Sequence, residues 1–83
     1  MQLINDINEL KNHCNESPYN EFCLKLNFGL KSTKRIQYWD KFDSWCIFNE
    51  IDDSMSEYNS TEDFVKNEPM IVKAMSVNAF FKY

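Results

Sequence analysis

The fold is decided by a stretch in which polar and apolar residues alternate, Glu21-Phe22-Cys23-Leu24-Lys25-Leu26-Asn27-Phe28-Gly29-Leu30. Phenylalanine or leucine takes every second position, so one side of an extended segment would be apolar and the other mostly polar. This period of two predicts a strand over residues 21–30 with one buried face. Other elements must then cover that face, and the flanking sequence supplies them.

Before this strand, the apolar residues follow a helical period. They recur at spacings of four, three and four, at Leu3, Ile7, Leu10 and Cys14. Such spacing places them on one stripe of an amphipathic helix. Pro18 follows closely and disfavours helix in the residue before it. We therefore predict a helix over residues 3–14.

After the alternating stretch, two further strands are predicted. Residues 31–34 (Lys-Ser-Thr-Lys) are typical of a turn, and residues 35–40 form the second strand. A turn at 40–43 leads to a third strand over residues 44–51. That strand is apolar on both faces near its start, from Trp45 to Phe48, which suits a central position. Together these segments predict a three-stranded antiparallel meander.

Two helices are predicted after the meander. Ser60 is a suitable N-cap, and the acids that follow it favour a helix N-terminus. Pro69 begins a second helix that runs to about Val77, and Asn78 can take the left-handed conformation that ends it. Residues 79–83 can add a short final strand. The prediction is an α+β fold with one domain over residues 1–83: an N-terminal helix, the meander, two C-terminal helices and the short strand.

Composition limits the class of protein. The chain has 83 residues and 16% aromatic residues, more than a disordered segment carries. No stretch approaches the roughly 20 apolar residues that cross a bilayer, and the first residues lack the features of a signal peptide. Three cysteines, an odd number, fit reduced thiols. We therefore predict a cytoplasmic location in a bacterial host.

Charge is segregated along the chain. The net charge is −4, and residues 42–65 carry seven acids and no lysine or arginine. On an extended strand, Glu50 and Asp52 would lie about 6.6 Å apart on one face, similar to neighbouring phosphates of a nucleic-acid strand. This pattern predicts an acidic surface that fits a basic groove on a protein partner. The predicted partner-binding residues are Glu50, Asp52, Asp53, Glu57, Tyr58, Glu62 and Asp63.

Two other interpretations of the charge pattern remain open. The acids of residues 42–65 can form a solvated face whose only effect is on solubility. The preceding segment, residues 25–41, carries five basic groups and one acid, and it can form a stacking platform for single-stranded nucleic acid. The isoelectric point of about 4.8 disfavours direct nucleic-acid binding. The platform would consist of Lys25, Lys34, Arg35, Tyr38 and Trp39.

The sequence predicts no catalytic residue, no cofactor and no metal site. His13 is the sole histidine, so a pair of nucleophile and histidine would have to use it. Cys14, Cys23 and Cys46 lack the paired spacing of zinc sites. The segment from residue 52 to residue 63 lacks the glycine of a calcium-binding loop. We therefore predict a binding protein and not an enzyme.

A family resemblance is carried by the opening segment, Ile4-Asn5-Asp6-Ile7-Asn8-Glu9-Leu10-Lys11-Asn12. It resembles the first helix of a phage-encoded inhibitor of Cas9, and the predicted order of elements is similar to that of small anti-CRISPR proteins. The resemblance implies a stoichiometric inhibitor, a DNA mimic whose acidic surface occupies the DNA-binding cleft of a Cas nuclease complex. The aromatic C-terminal residues 80–83 depart from the acidic C-terminal end of that inhibitor.

Two further functions fit the same residues. An immunity protein or antitoxin that neutralises a cognate toxin could use the same acidic surface. A small homo-oligomeric module could instead pair through Phe80 and Phe81 or through an exposed strand edge.

Overall fold

The computed structural model describes residues 2–16, 19–25 and 31–83. Within these residues the chain forms three helices and one antiparallel sheet of six strands, which confirms the α+β class. In chain order the elements are β1 (Gln2–Leu3), α1 (Ile7–His13), β2 (Asn20–Lys25), β3 (Lys31–Trp39), β4 (Ser44–Asn49), β5 (Ser54–Tyr58), α2 (Thr61–Asn67), α3 (Pro69–Ser76) and β6 (Phe80–Lys82). The strand order across the sheet is β1-β6-β2-β3-β4-β5.

The predicted three-stranded meander is wrong, because the sheet extends beyond it on both sides. On one side, β5 pairs with β4 in a register that runs from Trp45 opposite Tyr58 to Asn49 opposite Ser54. On the other side, β6 lies between β2 and β1 and pairs with both. The short final strand predicted at residues 79–83 is confirmed as β6.

The first helix begins later than predicted, at Ile7 and not at residue 3. Asp6 is its N-cap and accepts a hydrogen bond from the Glu9 amide at 2.9 Å. The Glu9 carboxylate in turn accepts one from the Asn5 amide at 2.8 Å. This reciprocal capping fixes where the helix starts. Leu3 therefore belongs to a strand, although its spacing continues the helical stripe.

The turn predicted at residues 31–34 is also wrong. These residues pair one by one with β2, from Lys31 opposite Lys25 to Lys34 opposite Phe22. Their backbone groups therefore bond to a neighbouring strand, and the polar Ser32 is buried within the sheet. Of the strand predicted over residues 21–30, the part from 26 to 30 lies outside the described residues.

The two C-terminal helices are confirmed. The Ser60 hydroxyl accepts a hydrogen bond from the Asp63 amide at 3.0 Å and so caps α2. Pro69 is the first residue of α3, and Asn78 has the left-handed conformation, with φ of 57°. No helix in the described part of the chain is long and apolar enough to cross a membrane.

All three helices pack on one face of the sheet. Trp45 and Phe64 stack there with ring centroids 4.3 Å apart, and Phe22 and Phe80 stack at 5.3 Å. The packing joins every helix to β2, β3, β4 and β6 in one core. Its buried members are Ile4, Leu10, Cys14, Phe22, Leu24, Ile36, Tyr38, Trp45, Ile47, Phe64, Ile71, Ala74, Met75 and Phe80.

The opposite face of the sheet, which we call the open face, carries the alternate side chains of each strand. Cys23 and Cys46 are buried on this face and lie outside the helix-covered core. The hydroxyl of Tyr19 lies 3.4 Å from the sulfur of Cys46, and the Cys23 thiol donates to the Leu24 carbonyl at 3.8 Å. Each of the two thiols therefore has a polar partner within the chain.

Candidate functional site

Five of the predicted acidic residues follow the course of β5, the last strand of the sheet. Asp52 and Asp53 lie in the turn before β5, and Glu57 lies within it. Glu62 and Asp63 lie in the first turn of α2, just after it. All five are exposed, and none forms an ion pair with another described residue. We call these five residues the acidic edge.

The acidic edge extends along the whole of β5. The strand has five residues, so its Cα atoms span about 13 Å at a rise of about 3.3 Å per residue. The turn and the helix start add carboxylates at its two ends. One carboxylate therefore lies within β5 and the other four at its two ends, so they do not form a compact cluster.

Glu50 lies apart from the acidic edge. Its carboxylate is 2.7 Å from the Nε atom of Arg35, which also lies 3.4 Å from Glu21. Residues 50–53 form a turn, so the expected spacing of Glu50 and Asp52 along one strand face is wrong. The charge of Glu50 is compensated within the chain.

Tyr58 also lies apart, because it faces the helices. Its hydroxyl donates a hydrogen bond to the Glu68 carboxylate at 2.7 Å, and its ring meets Phe64 edge-on with centroids 6.0 Å apart. Burial, followed by the bond to Glu68, raises the pKa of the Tyr58 hydroxyl. The side chain of Tyr58 therefore packs against α2 on the helix-covered face and does not belong to the acidic edge.

Hydrogen bonds stabilise the ionised form of the carboxylate at the start of the acidic edge. Ser54 donates to the Asp52 carboxylate, and its amide does so at 3.0 Å. These bonds, first from the hydroxyl and then from the amide, lower the pKa of Asp52. The next residue, Asp53, takes a left-handed conformation with φ of 56°, which aspartate tolerates better than most residues.

The other end of the acidic edge lies at the start of α2. This segment is held by the carboxylate of Asp43, which lies in the turn between β3 and β4. It accepts hydrogen bonds from the Thr61 hydroxyl, from the Thr61 amide at 3.0 Å and from the Tyr38 hydroxyl at 2.7 Å. Lys11 lies 3.6 Å away, and the indole of Trp45 donates to Thr61 at 3.0 Å. The bonds from Thr61 and then Tyr38 lower the pKa of Asp43. This network ties the start of α2 to the sheet.

A depression of about 330 Å³ lies on the open face beside the acidic edge. Its floor includes the small residues Ser44 and Cys46 of β4. Larger side chains flank them, with Trp39 of β3 on one side and Glu57 of β5 on the other. Phe42, in the turn between β3 and β4, also lines the depression, together with Trp45, Tyr58 and Asn59. We call this depression the Trp39–Glu57 pocket. Its residues come from three segments, so no motif in the sequence indicated it.

The alternative platform for single-stranded nucleic acid is not brought together. Tyr38 is buried in the core at 6% exposure, so its ring cannot stack on a base. Arg35 is engaged by two carboxylates. The alternation of β3 places Lys34 on the helix-covered face and Trp39 on the open face. Lys34 and Tyr38 therefore point away from the other three predicted members of the platform.

The described residues contain no group of three or more His, Cys, Asp or Glu side chains close enough to hold a metal ion. The three cysteines are free and buried. Burial raises the pKa of the Cys14 thiol to about 12, which makes it a poor nucleophile at neutral pH.

Comparison of the chain with protein-family models, with curated proteins and with solved structures found no match.

Proposed function

We propose that this chain is a stoichiometric inhibitor that binds a nucleic-acid-binding effector through the acidic edge and blocks access of the nucleic acid. The observation that carries the proposal is the set of five exposed carboxylates within β5 and at its two ends, without ion pairs to other described residues. Carboxylates in this arrangement suit the lysine and arginine side chains that otherwise hold phosphates.

The backbone of β5 adds a second kind of contact. Because β5 is the last strand among the described residues, every second amide and carbonyl of its backbone points away from β4. An extended segment of a partner can pair with such an edge. Met55 within β5 and Ile51 in the turn before it are 57% and 69% exposed and can supply apolar contact.

The same charges disfavour the pairing of two copies through β5. An antiparallel arrangement centred on Ser56 would place Asp52 and Asp53 of one copy beside Ser60 and Asn59 of the other. In that copy, Glu62 and Asp63 follow Ser60 after one threonine. Like charges brought together in this way are repulsive. A basic partner removes the repulsion, so the edge favours a partner of opposite charge over a second copy.

A Cas9–guide RNA complex is the first effector to test, because residues 4–12 resemble the first helix of a Cas9 inhibitor. The chain is titrated into a fixed concentration of the complex, and cleavage of a target duplex is measured. We expect cleavage to fall in proportion to added chain and to stop near one equivalent. Undiminished cleavage at a tenfold excess would contradict inhibition of this effector.

Charge reversal on the acidic edge tests the mechanism. The double variant Glu57→Lys, Glu62→Lys brings the net charge from −4 to 0. We expect it to weaken inhibition at least about 30-fold, which corresponds to about 2 kcal/mol. The measurement is the concentration that halves cleavage, with circular dichroism to confirm that the variant is folded.

The matched control is the double variant Glu16→Lys, Asp40→Lys. Both residues are exposed and lie outside the acidic edge, and this variant also has a net charge of 0. We expect its inhibition to stay within about threefold of the unmodified chain. If the two double variants lose inhibition equally, net charge and not the acidic edge determines binding.

A further inference from the structure

The Trp39–Glu57 pocket combines aromatic walls with one carboxylate. Among aromatic side chains, the indole of tryptophan attracts cations most strongly. The Glu57 carboxylate forms no ion pair with another described residue. The Lys41 ammonium already lies 5.5 Å from the centroid of the Phe42 ring, whereas no cation of the described residues lies over the Trp39 ring. The pocket is therefore suited to a positively charged group.

We propose that the Trp39–Glu57 pocket binds the guanidinium group of an arginine side chain of a protein partner. This inference rests on the proposed function, because Glu57 belongs to the acidic edge and the partner supplies the arginine. It goes further by naming one residue type and one place where that residue inserts.

Geometry favours a planar cation. Trp39 and Glu57 lie two strands and two residues apart in the sheet, so their Cα atoms are roughly 12 Å apart for standard strand spacings. The small Ser44 beside Trp39 leaves space for a flat group, and the Tyr19 hydroxyl, 3.4 Å from the Cys46 sulfur, lies near Glu57. A guanidinium can stack on the indole while its edge donates two parallel hydrogen bonds to the carboxylate. An ammonium is compact and more strongly hydrated, so it gains less from this arrangement.

The test uses N-acetyl-arginine methylamide as the probe and the uncharged N-acetyl-citrulline methylamide as its control. Each compound is titrated into the ¹⁵N-labelled chain while NMR records the two indole N–H signals. We expect the Trp39 signal to shift with a Kd on the order of 1–10 mM for the arginine compound and about tenfold weaker binding of citrulline. Trp45 also lines the pocket, but its indole N–H donates to Thr61, so its signal should shift less than that of Trp39. Equal shifts with both compounds, or none, would overturn the proposal.

Two isosteric variants separate the pocket from general negative charge. Glu57→Gln keeps the shape of the pocket and removes its carboxylate, so we expect the Kd for the arginine compound to rise about tenfold. Glu62→Gln removes one charge from the acidic edge outside the pocket, and the Kd should stay within about twofold. Equal weakening in both variants would show that the pocket has no specific role.

The two proposals fail in different ways. If the arginine compound binds in the pocket but the chain leaves effector cleavage unchanged, the proposed function is wrong and the pocket stands. If the chain inhibits the effector but the arginine compound does not bind, the pocket is wrong and the acidic edge stands.

Discussion

Replacing Phe64 by alanine is expected to cause the largest loss of stability of the changes considered. Phe64 is fully buried in α2, stacked on Trp45 and in edge contact with Tyr58. Removal of a buried phenylalanine ring costs about 3–5 kcal/mol, and a chain of 83 residues has about 4–12 kcal/mol in total. We expect the midpoint of thermal unfolding to fall by about 20 °C, measured by circular dichroism.

The neighbouring residue provides the control. Val65 lies in the same helix and is 38% exposed, so Val65→Ala should change the free energy of unfolding by less than about 1 kcal/mol. A loss for Phe64→Ala as small as that for Val65→Ala would contradict the packing of α2 on the sheet. It would also remove the support that holds Glu62 and Asp63 beside β5.

Replacing Asp43 by asparagine is expected to cost about 2 kcal/mol at pH 7. Asparagine keeps the size of the side chain and tolerates the left-handed φ of 51° at this position. It lacks the charge that accepts hydrogen bonds from Tyr38 and Thr61, and its amide would oppose the Thr61 N–H. Bonds to charged groups contribute about 1.5–3 kcal/mol. Solvent screens part of this stabilisation by charged hydrogen bonds, because 46% of the Asp43 side chain is exposed.

The loss of stability caused by Asp43→Asn should be smaller at low pH than at pH 7. The pKa of Asp43 is lower in the folded chain than its usual value, so its contribution to stability is complete above the unfolded value of about 3.9. That contribution is lost as the pH falls towards the folded pKa. Urea unfolding at pH 7 and pH 3 should therefore show a smaller difference between the unmodified chain and Asp43→Asn at pH 3.

Asp40, three residues earlier in the same turn, is the control for this effect. It is exposed, and its carboxylate makes no hydrogen bond with another described residue. Asp40→Asn should change stability by less than about 0.5 kcal/mol at either pH. An Asp43→Asn difference that is constant with pH would contradict the role assigned to the charged network.

Sequence patterns predicted those elements whose signals are local. The alternation at Phe22 and Leu24 identified the buried face of β2, and Ser60, Pro69 and Asn78 marked helix ends correctly. Each of these residues acts through its own backbone conformation or its own side chain. The α+β class followed from such signals.

The missed strands depend on pairing with distant residues. β5 contains two serines and a glutamate and has little apolar alternation, so its strand conformation comes from pairing with β4. β1 has only two residues and is defined by its partner β6. Residues 31–34 are polar in sequence, yet they continue β3 because β2 lies beside them. Tertiary context determined all three segments.

The candidate site also combines features that are visible in the sequence with features that depend on tertiary contacts. The acidic residues were visible in the sequence, but the turn at 50–53 and the path of β5 decide which of them line one edge. The ion pair of Glu50 with Arg35 joins the turn after β4 to β3 and could not be anticipated. The Trp39–Glu57 pocket depends on the registers of β3, β4 and β5, which follow from the fold and not from a local pattern.

Amide hydrogen exchange tests the central claim most directly. The chain is measured alone and with a saturating Cas9–guide RNA complex, with complex formation confirmed by size-exclusion chromatography. If a basic partner covers the acidic edge, exchange should slow in peptides from residues 50–63 and stay unchanged in α3. Protection confined to α3 or to β1, with residues 50–63 exchanging as in the free chain, would contradict the account.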